Sequence, residues 1–308
     1  MARVVITEFM DERAVAQIRA RHDVQYDPQL VDDPSRLITL AAEADALIVR
    51  NRTQVRGDLL QALKRCRVIG RLGVGLDNID VTGCEAQGMQ VIPATGANAL
   101  SVAEYVITTT MMLLRGAYMA SADVANGLWP RSALGNGRET AGRTLGLIGF
   151  GSIGQTTARL AMGLGMMVKT YDPLLAPGAP ILNQTGADYL PLDELIATAD
   201  VLSLHVPLTE ATRGLFHADR IAAMKPGAIL INTSRGHIVD LSALARSLRA
   251  GHLGGAAIDV FDAEPLKSDP ILQGCPNLLL TPHISGVSAD SNERVSFLIA
   301  DKVLESLR

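Results

Sequence analysis

One stretch, Leu145 to Asp172, constrains this chain more than any other. It reads Leu145-Gly-Leu-Ile-Gly-Phe-Gly-Ser-Ile-Gly-Gln, continues through Ala158 to Leu164, and closes on Met167-Val-Lys-Thr-Tyr-Asp172. An apolar run ends at Gly149, and Gly149, Gly151 and Gly154 follow in G-x-G-x-x-G spacing. A segment with few helix breakers comes next, and a second apolar run stops on Asp172. That order predicts strand, tight turn, helix, strand. The first two glycines let the backbone turn sharply and approach a pyrophosphate, which sits over the free amides of the helix N-terminus. The third lets helix and strand pack closely. Asp172 is placed to meet ribose hydroxyls and would repel a 2′-phosphate, so NAD is expected over NADP. A lone glycine fingerprint is also compatible with an ordinary turn. The strand before it, the helix after it and the acidic strand end together favour a dinucleotide. Lys169, on the same strand as Asp172, is given no role.

With 308 residues the chain is long enough for two domains, each with its own core. Hydrophobic residues make up 48% and charged residues 19%, which excludes a disordered chain. Only 4% of residues are aromatic, Trp129 is the single tryptophan, and the net charge is −4. Stacking platforms are therefore scarce, the charge supplies no basic footprint, and no nucleic-acid partner is expected. The N-terminus turns acidic within a few residues and carries no signal-peptide pattern. Val102 to Leu114, the most apolar helical stretch, is too short to span a bilayer. Cys66, Cys84 and Cys275 are odd in number and widely spaced, with no metal or disulfide pattern. The expectation is a cytoplasmic protein without membrane contact and without a metal site.

Taken in order, Val4-Val-Ile-Thr, Ala46 to Arg50, Val68 to Leu72 and Gln90 to Pro93 predict four strands, with a helix near Asp11 to Arg21. Strands alternating with helical spacers indicate a parallel α/β sheet. This first unit lacks a phosphate-binding glycine pattern and is expected to bind substrate. A helix is predicted from Ser101 to about Asp123, with Ser101 as N-cap and Glu104 completing a capping box. Residues 126 to 142 form a loop or arm long enough to serve an interface or the active site. Strands follow at Leu145 to Gly149, Val168 to Asp172, Val201 to His205, Ala228 to Asn232, Gly254 to Asp259 and Asn277 to Thr281. A last helix, about Ser291 to Leu307, is expected to return to the first domain.

Ligands of open α/β sheets bind beyond the carboxyl ends of the strands. Those ends carry His205-Val-Pro207, Asn232-Thr233-Ser234-Arg235, Asp259-Val-Phe-Asp-Ala-Glu264 and Thr281-Pro-His283-Ile-Ser-Gly286. Arg235 offers a planar fork to a carboxylate, and His283 moves a proton near neutral pH. Glu264 would orient the His283 ring and stabilise its imidazolium. Hydride transfer at a carbon bearing a hydroxyl needs a proton acceptor on that oxygen, so the trio suits oxidation of a 2-hydroxy acid. Taken singly, each has a plain alternative: a surface ion pair for Arg235, a helix-end charge for Glu264, a core histidine for His283. His205 competes as acid/base, but shaping the cofactor loop is its more natural role.

These pieces, with Gly70 to Asp80, resemble the D-isomer-specific 2-hydroxyacid dehydrogenases over essentially the whole length. The resemblance implies an α/β protein in which a Rossmann-type NAD-binding domain, residues 98–286, is inserted into a flavodoxin-like substrate domain, residues 1–97 plus 287–308. It implies a homodimer built through the cofactor domain, and catalytic roles for Arg235, Glu264 and His283. It further implies cofactor contacts from Gly149, Gly151, Ser152, Ile153, Gly154, Asp172, Thr233 and Asp259, with His205, Pro207, Ser234 and Gly286 beside them. Val74 and Gly75 match the loop whose amides hold the substrate carboxylate. Within the family the chain looks most like phosphoglycerate dehydrogenases, partly through Arg50-Asn-Arg52-Thr. Arg50 and Arg52 would bind a second anionic group, with Arg131 reaching a neighbouring subunit as a weaker candidate. Two departures stand out. The chain ends near residue 308, so no C-terminal serine-sensing domain is expected, and Ile-Ser-Gly-Val-Ser after His283 replaces a Gly-Ala-Ser-Thr type run. Both departures point away from the phosphoglycerate enzymes, but the likeness and the two arginines keep 3-phosphoglycerate or a similar doubly anionic acid as the first expectation for the substrate. Sulfolactate, hydroxypyruvate or glyoxylate is the alternative, and an NAD(H)-sensing corepressor is the alternative class.

Overall fold

A computed structural model describes residues 1–308. The chain divides into two compact units, residues 1–98 with 287–308, and residues 99–286. Both are parallel α/β sheets covered on two faces, which is why their strands read as continuous apolar runs.

The first unit contains β1 (Arg3–Ile6), β2 (Asp23–Tyr26), β3 (Ala46–Val49), β4 (Val68–Arg71) and β5 (Gln90–Pro93), in the order β2-β1-β3-β4-β5. That is the flavodoxin-like order, with its reversal between β1 and β3. Side chains alternate between two cores. Val4, Ile6, Ala46, Ile48 and Val68 face one core, while Val5, Leu47, Val49 and Ile69 face the other. The last helix, Ala289–Ser306, lends Val295, Ile299 and Val303 to the first of these cores. Gly70 lets it lie close, because a Cβ there would sit 2.6 Å from Ile299 Cγ2. Its start is fixed by a capping box in which Ser288 Oγ accepts from Ser291 N and Ser291 Oγ accepts from Ser288 N.

The second unit contains β6 (Thr144–Ile148), β7 (Met167–Tyr171), β8 (Asp188–Tyr189), β9 (Val201–Leu204), β10 (Ile229–Asn232), β11 (Gly255–Ile258) and β12 (Leu278–Leu280). Their order, β12-β11-β10-β9-β6-β7-β8, is the doubly wound dinucleotide-binding arrangement with one further strand. The register places Tyr171, Ile148, Leu204, Asn232, Ile258 and Leu280 level with one another. Asp172, Gly149, His205, Thr233, Asp259 and Thr281 therefore emerge side by side along one rim.

Four local expectations change. The strands Asp23–Tyr26 and Asp188–Tyr189 escape the apolar pattern because both are short edge strands. Ser101 is not an N-cap, since the helix begins at Ala99 and Ser101 lies inside its first turn. The same helix ends at Arg115, where Gly116 adopts φ 69°, and two short turns, Ala117–Ala120 and Ser121–Ala125, follow. Within the stretch expected as a loop, Arg131–Leu134 forms one helical turn. No helix is long and apolar enough to cross a membrane.

Candidate active site

The glycine turn after β6 is shaped by close backbone contact. Gly149 has φ 97°, and a Cβ on it would meet His205 O at 2.3 Å, while one on Gly154 would meet Gly149 O at 2.4 Å. A Cβ on Gly151 would meet nothing within 4 Å. Packing thus requires two of the glycines, and the middle one leaves open space over the helix Ser152–Gly163. That helix has no side-chain cap, so its first amides, Ser152 and Ile153 among them, point outward as a ready anion site. Asp172 ties the turn to the next strand end: Oδ2 accepts from Phe150 N at 2.8 Å and Oδ1 from Leu174 N at 2.9 Å. Each oxygen keeps an acceptor position for a hydroxyl.

Further along the rim, Thr233 Oγ1 and His205 Nδ1 are buried without a hydrogen-bond partner. Such orphaned polar atoms fit a rim built for a polar cofactor. His205 Nε2 pairs with Ser203 Oγ at 3.0 Å, and burial pushes the ring's pKa down to about 4. It is therefore uncharged near neutral pH, which weakens its claim as acid/base. Pro207 O accepts from Thr212 Oγ1 at 2.6 Å, which closes the loop after β9.

Arg235 follows β10 in a tightly wired loop. Asn232 Nδ2 donates to Arg235 O at 2.9 Å, Ser234 Oγ to Leu204 O at 2.6 Å, and Arg235 Nη1 to Ser234 O at 2.6 Å. A Cβ on Gly236 would lie 2.4 Å from Asp262 N, so this loop rests directly on the segment leading to Glu264. Glu264 Oε1 accepts from Phe261 N at 2.9 Å and Oε2 lies 2.7 Å from His283 Nδ1. A carboxylate only accepts, so Nδ1 carries the proton in this pair and Nε2 is left to exchange one with a ligand. The rim thus brings the Glu and His together and sets the Arg loop against the Glu loop.

Asp259 is fully buried. Its Oδ1 accepts from Thr281 Oγ1 at 2.6 Å and Ile284 N at 2.8 Å, and its Oδ2 accepts from Ser285 N at 2.9 Å. Expected only as a cofactor contact, it also clamps the loop that carries His283 and ends at Gly286.

In the first unit, Arg50 stands just beyond β3, at the point where the strand order reverses. Its guanidinium donates to Asn292 Oδ1 at 2.8 Å and lies 5.8 Å from the centre of the Phe9 ring. Sequence reasoning missed the residue that builds this corner, Glu8. It is 4% exposed and accepts from Arg50 N, Arg52 N and Thr53 N at 2.9, 3.1 and 3.0 Å. An acidic residue directly after a buried strand was the available signal. Arg71, also missed, ends β4 one strand away and is half-buried. Arg52 pairs with Asp32 on the surface, both side chains being more than half exposed. Val74 and Gly75 are half-buried in the loop after β4, and Arg131 is exposed.

Residues 107–285 match the family described as D-isomer specific 2-hydroxyacid dehydrogenase, NAD binding domain. The chain is 52% identical to the (S)-sulfolactate dehydrogenase of Chromohalobacter salexigens, over 100% of this chain and 99% of that one. The chain belongs to the D-isomer specific 2-hydroxyacid dehydrogenase family. This dehydrogenase is also 39% identical to D-3-phosphoglycerate dehydrogenase 2 of Arabidopsis thaliana, over 99% of its own length and 48% of that protein. It thus spans about half of that relative. The TT0316 protein of Thermus thermophilus shares its fold with a TM-score of 0.89 and 32% identity, over 99% of this chain and 96% of that one. The enzyme is an NAD-dependent oxidoreductase acting on the CH–OH group of a small 2-hydroxy acid. The glycine turn, the open helix amides and Asp172 are the groups that fit NAD.

Proposed function

We propose that the enzyme interconverts 3-sulfolactate and its 2-oxo acid, with His283, Arg235 and Glu264 carrying the chemistry and Arg50 holding the sulfonate. One observation carries the substrate: 52% identity along the whole chain to a sulfolactate dehydrogenase, against 39% to the phosphoglycerate enzyme. The alternative named from sequence therefore overtakes 3-phosphoglycerate. Arg50 supports a second anionic group because it stands at the strand reversal of its unit, where ligands of such sheets bind. Arg71, on the neighbouring strand end, is a second cation for the same group. Arg52, committed to Asp32, is not assigned to the substrate.

In the oxidative direction the C2–H bond breaks with its electron pair and the hydroxyl proton passes to His283 Nε2. Glu264, held by Phe261 N, stabilises the imidazolium that forms. Arg235 grips the carboxylate and polarises the forming carbonyl. NAD, when bound, supplies the hydride acceptor.

A homodimer is part of this reading. Tyr118, Met119, Leu128 and Trp129 are 57–75% exposed within one short segment of the cofactor unit, and cover by a second copy explains that exposure. A monomeric mass by light scattering would remove this part. A cytoplasmic location agrees with three free cysteines, of which Cys66 and Cys84 are buried.

The test of the substrate uses Arg50→Gln with sulfolactate and lactate. KM for sulfolactate should rise about 10- to 100-fold while lactate, lacking the second anion, is little affected. Equal losses on both acids would sink the assignment.

A further inference from the structure

A partly buried hydrogen-bonded chain on the rim has no part in the proton and hydride transfers described above. Tyr105, half-buried on the helix Ala99–Arg115, has its phenol oxygen 2.7 Å from Thr281 Oγ1. Thr281 Oγ1 in turn lies 2.6 Å from Asp259 Oδ1. The direction of the chain follows from its chemistry. A carboxylate has no proton to give, so Thr281 spends its single hydroxyl proton on Asp259. Tyr105 must then donate to Thr281. Burial pushes the Tyr105 phenol up from its ordinary value, which keeps that donor protonated through the neutral range.

At the far end of the chain, the Asp259 carboxylate accepts from Ile284 N and Ser285 N, and its backbone oxygen accepts from His283 N at 2.8 Å. His283 itself sits at φ 53°, a left-handed conformation that a residue with a side chain seldom adopts. Such a conformation persists only where the surroundings over-determine it. Here the restraint comes from Asp259, and Asp259 is braced through Thr281 by a helix from elsewhere in the unit.

We propose that Tyr105 is a positioning residue of this dehydrogenase: acting through Thr281 and Asp259, it fixes the 281–285 loop and so aims the His283 ring. The proposal rests on the reading of His283 as the proton-transfer group, and the experiment separates the two.

Tyr105→Phe keeps the ring and removes one donor. Turnover is followed with NAD and racemic sulfolactate, NADH binding by fluorescence, and the loop by amide hydrogen exchange of a peptide spanning 281–286. Expected are a drop in kcat of about fivefold, NADH affinity and KM within about twofold of wild type, and faster exchange in the loop. Thr281→Val removes the middle of the chain, so adding Tyr105→Phe to it should cause no further loss. Thr281→Ser keeps the hydroxyl and should keep both the wild-type rate and the sensitivity to Tyr105→Phe. Unchanged kcat and exchange in Tyr105→Phe, or losses that multiply in the Tyr105→Phe/Thr281→Val double variant, would overturn the proposal. His283→Ala tells the failures apart. Normal turnover in that variant removes the reading of His283, whereas loop exchange in Tyr105→Phe still decides whether Tyr105 holds the loop. An inactive His283→Ala beside a fully active Tyr105→Phe removes only the positioning role.

Discussion

Glu264 is gripped at one oxygen and engages His283 with the other: Oε1 accepts from Phe261 N at 2.9 Å, and Oε2 lies 2.7 Å from His283 Nδ1. The first bond fixes the carboxylate plane and the second fixes the ring. Glu264→Gln preserves the shape but removes the charge that stabilises an imidazolium. In that variant kcat should fall about 10- to 100-fold, with NADH affinity retained. Stopped-flow turnover alongside an NADH titration checks this. An unchanged kcat would mean that the pair is structural.

The three glycines of the turn should separate into two classes. Gly154→Ala drives a Cβ to 2.4 Å from Gly149 O and should cost about 2 kcal/mol or more in stability. Gly151→Ala meets nothing within 4 Å and should fold normally, yet weaken NADH about tenfold or more by filling the cradle. Thermal melts and fluorescence titrations of both variants test the division. Tight NADH binding by Gly151→Ala would place the pyrophosphate elsewhere.

Asp172 anchors Phe150 N, and we propose that its charge also faces the ribose. Asp172→Asn keeps an acceptor for the anchor and removes the repulsion of a 2′-phosphate. The ratio of kcat/KM for NAD over NADP should fall about tenfold or more, mainly through NADP improving. A ratio that stays put would show that discrimination lies outside this residue.

His205 makes stability pH-dependent. Its Nδ1 is closed off from solvent, and burial lowers its pKa from 6.5 to about 4. Between those values the unfolded chain binds a proton that the folded chain refuses. The contribution is therefore complete above the unfolded value and is lost as the pH falls toward about 4, at most about 3 kcal/mol. Urea unfolding at pH 7 and pH 4.5 should show a smaller acid loss in His205→Gln than in wild type. Equal losses would mean that the ring charges freely in the fold.

Much of the second unit was legible because its constraints are local. The glycine spacing demands a particular turn, and each apolar run ends on the residue that the register brings to the rim. Ligands of such sheets bind beyond the strand ends, and Arg235, Glu264 and His283 all follow strand ends in the sequence. What escaped depends on distant partners. Nothing near Arg52 in sequence announces Asp32, and nothing near Tyr105 announces Thr281. Glu8 acts on amides more than forty residues away. The misplaced helix start at Ser101 has a local cause: a Ser with Glu three residues later satisfies the capping pattern, and the helix simply starts two residues earlier. The substrate preference shifted for another reason, since phosphate and sulfonate ask for the same cations and whole-chain likeness separates them better than any single motif.

The most direct test of the central claim is steady-state NADH formation from NAD with a panel of sulfolactate, 3-phosphoglycerate, lactate, glycerate and malate. Expected are the highest kcat/KM with sulfolactate, the loss of nearly all of that rate in His283→Ala, and a weaker reaction with NADP. A higher kcat/KM with 3-phosphoglycerate, or tight NADH binding with no turnover of any acid, would contradict it.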